Sequence, residues 1–298
     1  LHYLRGENLW QTVIHRSTSA LNCGALHSIP TRCHEIAEKV GDSEVDFQIR
    51  VVENLARKSK EMKRRAAQKP EGKDFNPFLP YDPDLYVGEL TDHYRCLLNK
   101  FNVMDHHILI VTAEFRPQLE PLNREDFLAA QLCLEARDGL VFYNGGEAAG
   151  ASITHKHLQM VPLPLSPEGD YPFYRLLTDL SLSPGEIAAS PLPFPHLVTA
   201  TATEATPEEC ADKNWRHYRE MTAQLALQPE KGDELSLPHN LLMTREHLWV
   251  VPRHRERHGG LAVNALGFAG TLLVKNDRQL EELQMIGCLP LLKAVALP

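Results

Sequence analysis

From Gly139 to Met160 the chain reads as strand, glycine-bearing loop, strand, and this stretch constrains the fold more than any other. The apolar run Gly139 to Tyr143 empties at Asn144 into a loop holding Gly145, Gly146 and Gly150. The chain then returns as an alternating segment in which His155, His157 and Gln159 fall at i, i+2 and i+4. On a strand those three share one face, while Lys156, Leu158 and Met160 share the other. Two imidazoles and an amide opposite a glycine loop suit phosphorus chemistry. Backbone N–H groups of such a loop can wrap a phosphate, and a neutral imidazole is a good nucleophile near pH 7. Each part alone has plainer readings. A lone His on a strand is more often a core or surface residue, and a His-x-His pair could hold a metal or form a pH-sensitive surface. The whole string reads as a site.

The bulk numbers bound what that site serves. A chain of 298 residues suffices for one large or two modest domains. Its net charge of −8 argues against a general nucleic-acid backbone binder, which needs a basic surface. Such a protein must gather positive charge locally to handle a polyphosphate. No apolar run approaches the ~20 residues of a membrane span, and no signal-peptide pattern opens the sequence, so a cytoplasmic protein without a membrane partner is expected. The 6 cysteines are scattered with no Cys-x-x-Cys, which reads as reduced thiols rather than a disulfide framework or zinc ribbon.

Taken in order, Leu1 to Val40 reads as helical, with Leu9 and Val13 on one face and Ile36, Ala37 and Val40 on another. Asp46 to Val52 alternates as a strand. The basic run Arg57 to Arg65 reads as a solvated helix face, and Glu71 to Pro83 as a surface loop. Strands are predicted over Asp84 to Leu90, Tyr94 to Phe101 and His107 to Thr112. Asn123, with acids behind it, caps a helix leading back to the strand before the glycine loop. Ser166 to Pro195 is rich in proline and reads as an irregular excursion. Thr206-Pro207 opens a second helix through a capping box. Strands over His239 to Thr244, His247 to Val251 and Gly267 to Val274 follow, and Asn276 to Leu283 begins the last helix. His247, His254 and His258 match no metal signature, and Arg253, Arg255 and Arg257 among them disfavour a cation, so they read as surface residues. A faint pattern shared by the segments at His107 and His239 hints at an old duplication of one αβ unit.

Five segments carry a resemblance in one consistent order: Tyr94 to Phe115, LVFYNGG, HKHLQ, His239 to Arg253, and Val263 to Asn276. Together they resemble the diadenosine tetraphosphate phosphorylases (ATP adenylyltransferases), a branch of the histidine-triad superfamily close to the galactose-1-phosphate uridylyltransferases. The resemblance implies an α+β fold, a largely antiparallel sheet with packed helices. It implies one catalytic unit over residues 1–298, with an N-terminal helical segment (1–45), a catalytic half bearing HKHLQ (46–165) and a C-terminal half completing the nucleotide site (195–298). It also implies double displacement. His157 attacks an α-phosphorus of diadenosine tetraphosphate and expels ATP, and phosphate then attacks the AMP-histidine and releases ADP. His155 would fix which ring nitrogen of His157 faces phosphorus, and the Gln159 amide would bond a phosphoryl oxygen without exchanging a proton. That would favour transfer over hydrolysis.

Substrate contacts implied by the same resemblance are Lys58 on phosphate, Asn99 and Lys100 on the nucleoside, and Asn144 beside the loop. Gly150, Ala151, Ser152 and Ile153 would line the polyphosphate. Asn264, Ala265, Leu266, Thr271 and Lys275 would complete the nucleotide site from the C-terminal half. His107 falls where the superfamily often keeps a histidine at a strand start. No covalent cofactor beyond the transient AMP is implied, and Mg²⁺ is expected to travel with the polyphosphate. Zinc, carried by some uridylyltransferases, has no obvious thiolate ligands here. The chain departs from relatives at Ile153, at Thr154 and at Ala265-Leu266, where others carry polar side chains; this bears on affinity and dinucleotide preference more than on reaction type. Rival readings are a dinucleoside polyphosphate hydrolase, a nucleotidyl-sugar transferase, and a nucleotide sensor without turnover.

Overall fold

The structure, a computed structural model, describes residues 3–52, 76–167, 169–229 and 235–298. The predicted Lys58 and the whole basic run Arg57 to Arg65 lie outside them. The first helix, α1 (Gly6–Cys23), buries Leu9, Trp10 and Val13, and ends where Gly24 turns left-handed at φ 78°. Thr31–Val40 is a strand, β1, paired residue for residue with β2 (Ser43–Val52). This corrects the helical expectation: with the hairpin partner alongside, Ile36, Glu38 and Val40 turn inward at a two-residue period while Ala37 is exposed on the other face.

Nine strands form the main sheet. In chain order these are β3 (Tyr86–Glu89), β4 (Tyr94–Leu98), β5 (Ile108–Thr112), β6 (Gly139–Gly145), β7 (His157–Pro162), β8 (Ile187–Ala188), β9 (Leu197–Ala200), β10 (His239–Met243) and β11 (His247–Pro252). They lie in the spatial order β3-β4-β5-β7-β6-β10-β11-β9-β8, with every neighbouring pair antiparallel. The two halves of the chain meet where β6 pairs with β10. A two-residue ladder of β12 (Arg257–His258) and β13 (Leu261–Ala262) follows, and β14 (Thr271–Val274) runs parallel to β2 in a separate three-stranded sheet with β1. The predicted strand over Gly267 to Val274 is therefore half strand. Ala265–Ala269 coils as a 3₁₀ turn capped by Asn264.

Alternation sorts the side chains of the main sheet. Leu158 and Met160 face a core built with α1, α2 (Arg124–Ala136) and α4 (Pro207–Gln224). The capping box forms at Asn123, with Asp126 as its reciprocal partner, whereas Thr206 supplies only the single side-chain cap of α4. Phe142, Leu242 and Trp249 face the opposite way, into a core shared with the small sheet, α5 (Asp277–Ile286) and α6 (Cys288–Val295). The expected last helix is thus followed by another. The proline-rich stretch carries a short helix, α3 (Tyr174–Thr178), and sinks Tyr171, Phe173, Leu192 and Phe194 into this second core. Beside it, over β4, β5 and β7, the same face of the main sheet carries Leu97, Leu109 and Val111 under Phe78, and there the predicted site lies.

Candidate active site

The expected face-sharing holds, although β7 begins only at His157 and His155 makes an isolated bridge to Pro117. Val111 opposes His157 across the sheet, and Leu109 opposes Gln159. The buried His157 ring is 6% exposed and lies edge-on to Phe78 at 5.3 Å. Its Nδ1 is 2.8 Å from the His155 carbonyl oxygen, which can only accept, so Nδ1 carries the proton. Nε2 then holds the lone pair. Among the described residues it has no hydrogen-bond partner, and it is not sealed from solvent. Burial pushes the imidazole pKa down to about 4, which keeps the ring neutral at physiological pH.

His155 is locked in place. Its Nε2 lies 3.0 Å from the Thr112 carbonyl and 2.8 Å from the Thr112 hydroxyl, so Nε2–H donates. Nδ1 is then free to accept from Asn76 Nδ2 at 2.9 Å. The rings of Phe78 and Phe115 stand edge-on to it, each at 5.5 Å. Burial lowers its pKa too. The carbonyl that sets the tautomer of His157 therefore belongs to a residue whose own ring is fixed at both nitrogens.

A second chain of bonds orients Gln159. His107 Nε2 donates to Gln159 Oε1 at 3.0 Å, while His107 Nδ1 accepts from Asn99 Nδ2 at 3.1 Å. His107 is buried, and burial lowers its pKa to about 4, so this neutral relay persists. With Gln159 Oε1 taken, its NH₂ group is the end left to face a ligand. Asn99 is thus occupied with His107, and Lys100 is exposed, 3.7 Å from Asp82.

The glycine loop joins the two halves of the chain. Gly150 adopts φ 95°, and a Cβ there would come within 3.0 Å of Asn264 Cα, so a side chain would force the loop off its neighbour. The N–H groups of Gly150 and Ala151 already donate to Glu147 and Gly146 carbonyls. Those of Ser152 and Ile153 take no partner among the described residues, which narrows the expected phosphate cradle to them. Ile153 leans onto the Phe78 cluster, next to the histidines. Asn144 is buried, and its Oδ1 accepts from Asn240 Nδ2 at 3.0 Å and from the Ala265 N–H at 2.9 Å. Its side-chain oxygen braces Ala265 rather than projecting toward a ligand. Ala265, Leu266 and Thr271 are buried, and Lys275 is exposed beyond the end of β14.

Several structural partners escaped the sequence reading. Gln118, 4% exposed, accepts from the His157 N–H at 2.9 Å and donates to the carbonyls of Asn144 and His157. Arg253, noted in the sequence only as disfavouring a cation among the histidines, is buried; it donates to Asn240 Oδ1 and to the carbonyls of Ala149, Val263 and Val295. It ties the glycine loop to the turn at Asn264. His247 is likewise buried rather than exposed, with Nδ1 2.8 Å from the Tyr171 hydroxyl. Neither Gln118 nor Arg253 stands in a local pattern that singles it out. Among the described residues no group of three His, Cys, Asp or Glu side chains is placed to hold a metal ion.

A neutral imidazole with one free nitrogen, an oriented amide and a pair of free backbone N–H groups suit the transfer of a phosphorus-bearing group, and the family to which the chain belongs makes it a nucleotidyltransferase. Residues 2–179 match the family model described as the Ap4A phosphorylase N-terminal domain, and residues 190–298 the ATP adenylyltransferase C-terminal domain. The chain belongs to the Ap4A (diadenosine tetraphosphate) phosphorylase family. Diadenosine 5',5'''-P1,P4-tetraphosphate phosphorylase 2 of Saccharomyces cerevisiae is 29% identical over 307 residues, covering 93% of this chain and 90% of that protein. Protein APA1 of the same yeast is 30% identical over 243 residues, covering 72% of this chain and 73% of its own. The crystal structure of yeast Ap4A phosphorylase Apa2 superimposes with a TM-score of 0.78 at 26% identity, covering 99% of this chain and 96% of that one. Among the described residues no helix is long and apolar enough to cross a membrane.

Proposed function

We propose that this family member phosphorolyses diadenosine tetraphosphate to ADP and ATP in two displacements, with His157 carrying the adenylyl group between them. The observation that carries this reading is the tautomer of His157: Nδ1–H is held by the His155 carbonyl at 2.8 Å, which leaves Nε2 as an unprotonated nucleophile. In the first step the Nε2 lone pair forms a bond to the α-phosphorus, and the P–O bond to ATP breaks with its electron pair leaving on ATP. The imidazolium that results is stabilised through Nδ1–H against the carbonyl. In the second step an oxygen of inorganic phosphate attacks the same phosphorus, the P–N bond breaks, and its electron pair returns to Nε2 as ADP departs. The Gln159 NH₂ and the N–H groups of Ser152 and Ile153 are the donors available to the phosphoryl oxygens. An amide cannot act as a general base near pH 7, which favours an acceptor that brings its own nucleophilic oxygen over plain water. Magnesium would accompany the polyphosphate as part of the substrate.

The test is a product assay of diadenosine tetraphosphate with and without inorganic phosphate. Formation of ADP and ATP only when phosphate is present supports phosphorolysis. AMP and ATP formed at the same rate without phosphate would make the enzyme a hydrolase.

A further inference from the structure

An acidic chain that holds a polyphosphate must place cations at the site, and one cation faces it without an assigned task. Arg95 lies on β4, and the strand register puts it in the same cross-strand row as the nucleophile: Arg95 opposes Val111, and Val111 opposes His157. Two strand spacings separate Arg95 from His157, roughly 10 Å between backbones. Its neighbours in sequence, Tyr94 and Cys96, are buried in the core on the opposite face, so alternation turns Arg95 to the His157 side. The guanidinium sits 4.8 Å over the Tyr81 ring, which is itself stacked on Tyr86 at 5.0 Å. It is held in position by these rings and by a loose ion pair with Glu89 on the neighbouring strand.

Its donors are open. Nε is buried and takes no hydrogen bond among the described residues. Glu89 pairs with it through charge alone, its Oε1 3.7 Å from Nε and beyond hydrogen-bonding distance, and accepts a hydrogen bond from the Tyr86 hydroxyl at 3.0 Å. The Arg95 side chain is 16% exposed, so the group is largely desolvated yet reachable. Its positive charge is also felt at His155, where it helps disfavour the imidazolium. A partly dehydrated guanidinium with a free fork is a receptor for phosphate oxygens, which it can bind through two parallel bonds. Asn99, one residue past the end of β4, is displaced along the strands from the row that Arg95 shares with His157; with roughly 10 Å between the Arg95 and His157 backbones, a phosphorus seated at His157 leaves Arg95 to the phosphates that follow it.

We propose that Arg95 binds the phosphate chain beyond the α-phosphorus, and so selects a polyphosphate leaving group over the nucleoside monophosphate alone. The proposal rests on the phosphorolysis reading above.

The experiment compares the wild-type chain with Arg95→Gln and Arg95→Lys. It measures KM for diadenosine tetraphosphate and the inhibition constants of inorganic tripolyphosphate and AMP. Expected for Arg95→Gln is a rise of about tenfold or more in KM and in the tripolyphosphate constant, with the AMP constant changed less than about twofold; one lost charge-assisted bond accounts for that size. Arg95→Lys should restore part of the tripolyphosphate affinity, because the charge survives while the planar fork does not. A merely structural role for Arg95 would raise the AMP and tripolyphosphate constants together and would overturn the proposal. So would an unchanged tripolyphosphate constant, or a wild-type enzyme that tripolyphosphate does not inhibit. Absence of phosphorolysis in the wild type would instead overturn the reaction itself.

Discussion

The chemistry of the site turns on single atoms around one imidazole. His157 was legible because its neighbours repeat every second residue; what fixes its tautomer was not, since the acceptor is a backbone carbonyl and a sequence shows none. Gln118 is the sharper case. It lies some forty residues upstream in a loop of ordinary composition, yet it satisfies one backbone N–H and two carbonyls beneath the catalytic strand. Replacing it with leucine strands those buried groups, at about 1–3 kcal/mol each before relaxation. We expect Gln118→Leu to lower the free energy of unfolding in urea by about 3 kcal/mol or more; a loss below about 1 kcal/mol would show that other groups satisfy the His157 backbone.

At the scale of elements, β7 is clamped from behind. Lys156 and Asp126 form an ion pair at 2.8 Å with both side chains fully buried, and Asp126 also accepts from the Asn123 N–H and the Tyr94 hydroxyl. Lys156 additionally donates to the Pro121 carbonyl. The strand is thereby fastened to the N-terminus of α2. Lys156→Met should cost about 3–5 kcal/mol, because it leaves a buried carboxylate without its counter-ion. Combining it with Asp126→Asn, which keeps hydrogen bonds without the charge, should recover part of that loss in urea denaturation; strictly additive losses would contradict the clamp. The strands β2 to β7, β10 and β11 and the N-terminal caps of α2 and α4 were readable from alternation and from Asn123 and Thr206, whereas β8, β9, β12 and β13 were not. The helical reading of Thr31–Val40 failed because apolar residues spaced at 36, 37 and 40 fit a helix face as well as a strand, and only the hairpin partner decides.

For the whole molecule, the order of strands was out of reach of the sequence. Nothing in Thr271–Val274 indicates that it runs parallel to β2, more than 200 residues earlier, and nothing local marks Arg253 as the buried tie between loop and turn. The global consequence of so many buried imidazoles is an acid-sensitive fold. His107, His157, His239 and His247 are each pushed down to about 4 by burial. They stay neutral when folded but take up protons below about pH 6.5 when unfolded. The unfolded state therefore binds more protons between pH 6.5 and 4, and stability falls as pH drops through that window. Each group contributes up to about 1.4 kcal/mol per pH unit. The urea midpoint should be lower at pH 5 than at pH 7, and equal midpoints would show that these rings are not buried neutral. The central claim, an adenylyl group carried on His157, is tested most directly by mixing the protein with diadenosine tetraphosphate in the absence of phosphate, quenching in base to preserve a P–N bond, and weighing the intact chain. The account predicts one added AMP, mapped to His157, absent in His157→Ala, and discharged as ADP when phosphate is supplied; rapid turnover with no adduct, or an adduct on another residue, would contradict it.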